Sequence, residues 1–406
     1  MNIHRSAAVL AAVAVIGTAA PAMAAPSASP SPSAALPSGL YGNADPKFDG
    51  VWRQSLTLLA QHAVGLTPAD KAVDWLTGQQ CADGSFAAFR ADATKPCAAG
   101  TATADMTAVA VQALKAIGGH DAEAGKAVTW LKAQQSADGG WGYPGSGSDA
   151  NTTGGVIAAL TAVGENPAGV SKGGKNPYDA LAALAVPCGK DGGGALGLPP
   201  MKGAKLSANA YATAAGVLGA LNKGLATTAG KARSGDAKCS GTDLKPEDIA
   251  RNGTAYLTAE LHRTGGHLES ALAGAEPQPD HGSTAYTVVA LAAQGYTEQA
   301  RKPYAWLEKN SVKWAQQSGP AAYAELILAA HVVGGNPRDF GGTDLVKALN
   351  ATGPAPQEMK KPTGADTEKA DKSDSGYGVW WIVGVGLVAG IGAGFLLSGR
   401  KKRQQP

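Results

Sequence analysis

Two kinds of segment alternate along this chain, told apart by where their hydrophobic positions fall. In the first kind the apolar residues lie on one face of a helix. Ala72-Val73-Asp74-Trp75-Leu76 is the clearest case, and it recurs as Ala127-Val128-Thr129-Trp130-Leu131. Lys71 and Asp74, or Lys126 and Lys132, fill other positions, so each of these helices has one wet side. Weaker copies start near Tyr178, Tyr256 and Trp306. The second kind is apolar nearly all round: Asp105 to Leu114, Thr152 to Val163, Ser207 to Leu221, Ser283 to Ala293 and Ala321 to Val333. Unbranched Ala and Leu dominate these runs and favour helix over strand. Most end at Gly or Asn, as helices do.

A helix with one wet side belongs on the outside, and one without belongs between other helices. The pattern therefore predicts an all-α body with an inner ring of buried helices and an outer ring of amphipathic ones. Phe48 to Val64 reads as an inner helix lacking an outer partner before it, and Thr343 to Asn350 as a short outer helix lacking an inner one after it. Pairing the two closes a ring of about six helical hairpins over residues 41–350.

The ends read differently. His4 and Arg5, the apolar run Ala7 to Ala20 and Ala22-Met23-Ala24 make a secretory signal over residues 1–24. Residues 25–40, rich in Pro, Ser and Ala, predict a flexible leader, and residues 351–376 a disordered stalk. Residues 377–397 carry no charge and span about 31 Å as a helix. The basic tail 398–406, with Arg400 to Arg403, places that end in the cytoplasm and the body outside a cell membrane crossed once. Net charge is +3, and four positive charges lie in the tail. The body carries no basic patch suited to nucleic acid. Four cysteines in an exported chain favour disulfides. Of three connectivities, Cys81 with Cys97 is preferred because both lie in one loop. Cys188 with Cys239 then follows, provided Gly224 to Pro246 folds back.

Gln135, Gly139 and Trp141 spell Q-x-x-x-G-x-W. This resembles the QW repeat of terpene cyclases and prenyltransferase β-subunits, whose rings are α/α toroids. Vitamin B12 carrier proteins share that ring architecture. The resemblance covers about residues 48 to 350. Protonating cyclases carry D-x-D-D-T-A at the start of an inner helix; the matching stretch here is Thr103-Ala104-Asp105-Met106-Thr107-Ala108. Asp105 aligns with the proton-donating aspartate, but Thr103 and Met106 replace its neighbours, so the means of holding and reloading a proton are missing. Asp105 is equally placed to cap the helix. The zinc-dependent members place a histidine before T-x-Y. Here Thr284-Ala285-Tyr286 follows Ser283, His281 is two positions further back, and no D-x-C occurs. Neither a zinc site nor any cofactor is implied.

In such a ring the N-termini of the inner helices converge on one mouth, beside the long loops Cys81 to Thr103, Ser136 to Ala150 and Val186 to Leu206. The candidate ligand-binding residues are those in the first turns: Asp105, Thr107, Asn151, Thr152, Asn209, Tyr211, His281, Ser283, Tyr286, Tyr323 and Glu325. The expectation is a non-catalytic, surface-tethered binding protein. By resemblance, a corrinoid or another bulky small molecule bound for an importer is the leading ligand. A cyclase-like enzyme using Asp105 and a structural or adhesive wall protein are the alternatives.

Overall fold

The computed structural model describes residues 37–198, 206–270 and 276–359. The expected signal peptide, transmembrane helix and basic tail lie outside these residues, as do most of the leader and stalk. Among the described residues no helix is long and apolar enough to cross a membrane. Among these residues the fold is all-α, with thirteen α-helices and a few two-residue strands. In chain order they are α1 (Gly50–Ala63), α2 (Asp70–Gly78), α3 (Ala104–Ile117), α4 (Asp121–Ala133), α5 (Ala150–Ala162), α6 (Pro177–Ala183) and α7 (Ala210–Ala220). Then come α8 (Pro246–Arg263), α9 (His281–Ala293), α10 (Thr297–Asn310), α11 (Val312–Ser318), α12 (Pro320–Val333) and α13 (Leu345–Asn350).

Six helices pack in a closed cycle, each touching the next: α1, α3, α5, α7, α9, α12 and back to α1. They are the runs whose sequences are apolar nearly all round. The helices between them flank the cycle: α2 lies on α1, α4 on α3, α6 on α5 and α7, α8 on α7, α10 on α9, and α13 on α12. These keep a wet side, and only Ala300, Pro303, Tyr304 and Leu307 of α10 are buried. Where α5 meets α7 the backbones nearly touch: a Cβ on Gly154 would lie 2.3 Å from the Ala215 carbonyl oxygen. Short α11 was not foreseen, and it sits between α10 and α12.

The Q-x-x-x-G-x-W residues tie their hairpin to the next. The Gln135 Nε2 donates to the carbonyls of Gly139 at 2.8 Å and Val170 at 3.2 Å. Gly139 has φ +90°, and a Cβ there would lie 2.2 Å from the Asn176 carbonyl, at the start of α6. Trp141 is 1 % exposed, and its indole N–H donates to the Leu131 carbonyl. Its backbone N–H donates to Thr153 Oγ1 at 3.0 Å. The same bond recurs from Phe86 to Thr107, Leu196 to Thr213 and Leu268 to Thr284. A buried threonine in four of the six inner helices, α3, α5, α7 and α9, thus pins the loop that enters it.

Both expected disulfides form, Cys81–Cys97 and Cys188–Cys239. The second closes because the segment after α7 returns. It bonds at the C-terminal end of α9, through Gly230 to Ala292 and Arg233 to Gly295, and then reaches Cys188. Sequence separations of 16 and 51 residues correspond to roughly 3 and 4 kcal/mol of denatured-state restriction. One boundary differs from the sequence reading. Residues 351–359 remain packed on the body, where Gln357–Glu358 pairs antiparallel with Leu66–Thr67 and the buried Tyr41 hydroxyl donates to the Pro354 carbonyl.

Candidate functional site

A narrow cleft lies among the inner helices. Its walls are Trp52 of α1, Asp105, Val109 and Gln112 of α3, Asn151 and Gly155 of α5, and Tyr286 of α9. Residues 105, 109 and 112 succeed one another along one face of α3, so the cleft follows the helix direction. Leu225, from the segment after α7, closes its far end, held by a bond from its N–H to Gln112 Oε1. The free space is about 10 Å³, room for a single water-sized group.

Gln112 spends its amide on Leu225, Ala108 and Gly155, but one buried polar atom of the lining has no protein partner. Asp105 Oδ1 is buried without a hydrogen bond. The capping role open to Asp105 is not taken: Thr103 is the N-cap of α3, and no side chain caps that helix. Tyr286 is 9 % exposed, and its hydroxyl has no hydrogen-bond partner among the described residues. Carboxylates and phenols crowd the same end. Burial pushes the Tyr211 phenol well above its usual range, with Tyr286, Glu325, Asp105 and Asp280 adding to the rise. Tyr211 and Tyr286 rings pack 5.3 Å apart. Burial and then Asp280 raise the half-buried Glu325 carboxyl to about 8. Burial likewise raises the phenols of Tyr286 and Tyr323.

The other sequence candidates have structural partners. Thr107 is fully buried and bonded to Phe86 and Thr103. Thr152 bonds through N–H and hydroxyl to Asp149, the N-cap of α5. Burial raises the Asp149 carboxyl, although Thr152 opposes the rise. Asn209 caps α7, and Ser283 bonds to Asp280, the cap of α9. His281 joins a different feature, between the rings of Trp306 at 5.1 Å and Trp314 at 5.2 Å, with Nδ1 2.8 Å from Ser311 Oγ. Burial lowers its basicity; Asp280 pulls the other way. The structure thus brings Asp105, Asn151 and Tyr286 together in the cleft, with Tyr211 against Tyr286.

Sequence reasoning missed Trp52, Gln112, Gly155 and Leu225. Trp52 stands in the predicted first inner helix, and its aromatic side chain was the one available signal. Among the described residues no group of three or more His, Cys, Asp or Glu side chains is placed to hold a metal ion. Roomier grooves lie away from the cleft. One of about 300 Å³ runs between α8 and α10, past Leu261, His262 and Lys302. Another of about 460 Å³ lies at the opposite end, beside His62, Asp70, Asp74, His120 and Met359.

No family model matches the chain. No curated protein is similar to it either. Among solved structures, the crystal structure of a protein from Actinoplanes aligns over 73% of this chain and 79% of its own, at 17% identity and a TM-score of 0.45. A likeness at that level carries nothing about function.

Proposed function

We propose that this chain is an exported, membrane-anchored, non-catalytic recognition protein. Its body is an α/α toroid of six helical hairpins, of the QW-repeat type, and it engages a ligand at the mouth where the inner helices begin. The observation that carries this reading is the cleft of about 10 Å³ in which the buried Asp105 Oδ1 has no hydrogen-bond partner. Buried polar groups left unpaired are costly, and a recognition role gives them a partner. Exposed aromatics on the loops entering inner helices support it: Phe48 before α1 is 84 % exposed and Tyr143 before α5 is 63 % exposed. The disulfides fit an oxidising compartment and hold two of the mouth loops.

The narrowness of the cleft weighs on the ligand class. Neither a corrinoid nor a polyprenyl chain fits inside the ring, so a bulky ligand destined for an importer would have to lie across the rim. The same narrowness weighs against a cyclase acting through Asp105. A thermal-shift screen of the full chain in mild detergent, against corrinoids, lipids and glycans, tests the reading, since a ligand of the folded state raises its stability. Supporting hits weaken when Phe48 or Tyr143 is changed to Ser. Polyprenyl turnover that disappears in Asp105→Asn overturns the non-catalytic reading. The closed axis also favours a second reading, a structural or adhesive surface protein; it gains if the screen finds no small ligand and purified cell wall binds instead.

A further inference from the structure

Asp105 presents a problem that the fold leaves unsolved. Its Oδ1 is buried and unbonded, and none of the residues lining its cleft is basic. Asp105 as a whole is part-buried, but a carboxylate oxygen shielded from water still calls for a counter-charge or a donor, because removing it from water is otherwise expensive. Asp149 and Asp280 do not relieve it. Both are spent capping α5 and α9, where they also offset the positive ends of those helices. The walls facing Asp105 are Trp52, Asn151 and Tyr286. Tyr286, itself 9 % exposed, brings a phenol to the same cleft.

We propose that this cleft is a binding site for a primary ammonium group, with Asp105 as its counter-charge. The match is one of size, charge and donor count. An –NH3⁺ head is about as large as the water-sized space available. Its three donors can meet Asp105 Oδ1, the Asn151 side-chain oxygen and the Tyr286 hydroxyl. Trp52 and Tyr286 supply aromatic surface that favours a cation over a neutral group. A quaternary ammonium is too large and has no donors. The stem behind the head leaves toward the first turns of α3, α5 and α9, so a lysine-type side chain or an amino sugar would present the group. This inference rests on the mouth being a recognition surface and names what its deepest point accepts.

The test is calorimetric titration of the full chain in detergent with methylammonium, using methanol and tetramethylammonium as controls. Saturable binding of methylammonium alone is expected. Asp105→Asn, which keeps the shape and removes the charge, should weaken it at least ten-fold, and Tyr286→Phe several-fold. Circular dichroism and unfolding midpoints establish that both variants fold. Nα-acetyl-lysine amide and glucosamine then distinguish the sources, the true one binding more tightly than methylammonium. Absent methylammonium binding, undiminished binding by Asp105→Asn, or an equal response to methanol overturns the proposal; the last leaves the cleft a water site. A ligand from the mouth screen that binds Asp105→Asn as well as the unaltered chain removes the ammonium site and leaves the recognition reading standing.

Discussion

Glu325 lies one turn into α12, and the charge that most affects it is negative, from Asp280. Its carboxyl titrates near about 8 in the fold, against an ordinary value of 4.5. Between those two values the unfolded chain has released this proton and the folded chain still holds it. Stability therefore falls as pH rises through this window; the contribution is whole below 4.5 and gone above about 8. Glu325→Gln cannot titrate. It should match the unaltered chain near pH 4.5 and exceed it at pH 9 by roughly 1–3 kcal/mol. Asp149, raised in the same direction, is present in both chains and cancels. Unfolding midpoints across pH check this, and a difference that does not change with pH removes the assignment. Asp105 was legible in the sequence because a motif singled it out, and Tyr286 because of T-x-Y. Trp52, Gln112 and Leu225 were not. A helix buried on all sides has no apolar face to reveal which of its residues meets the centre.

At the scale of elements, the bond from a loop N–H to an inner-helix threonine repeats in four hairpins. Thr153 shows its worth, being fully buried and bonded to both the N–H and the carbonyl of Trp141. Thr153→Val keeps the shape but strands that N–H. A loss of about 1–3 kcal/mol is expected, seen as a fall in Tm of a few degrees. Thr129→Val, on the exposed side of α4, should change little by the same measurement, and equal effects would falsify the pinning role. The repeat was legible where Phe86 and Trp141 fill the aromatic position. It faded where Leu196 and Leu268 do, since the bond uses backbone N–H and tolerates any side chain that fits the core. The hairpins themselves were legible throughout, because one-sided and all-round apolar runs require different neighbours. The returning segment that brings Cys239 to Cys188 was implied only by cysteine count, for its contacts are mostly made by backbone atoms.

At the scale of the whole molecule, the ring must close where its first and last helices meet, and closure uses residues beyond the last helix. Tyr41 is fully buried at that seam, its hydroxyl bonded to the Pro354 carbonyl and to Gln61, which also bonds Asn350. Gly353 lies against the Tyr41 ring, where an added Cβ would come within 2.5 Å. Gln357–Glu358 then pairs with Leu66–Thr67 just past α1. None of this showed in the sequence, because residues 351–359 are mostly polar or small and hold on through backbone bonds rather than an apolar stripe. The body therefore ends later than composition suggests, and the difference is measurable. Chains ended after Asn350 and after Met359 lack the same downstream segment and differ only in the seam. The shorter should unfold at lower temperature, by an amount equivalent to about 2–4 kcal/mol from exposed Tyr41 surface and a lost hydroxyl partner. Tyr41→Phe separates the two contributions. It should cost about 1 kcal/mol in the longer chain and distinctly less in the shorter, where the Pro354 carbonyl is already gone. Equal midpoints for the two truncated chains would mean that the helical cycle closes without its C-terminal strap.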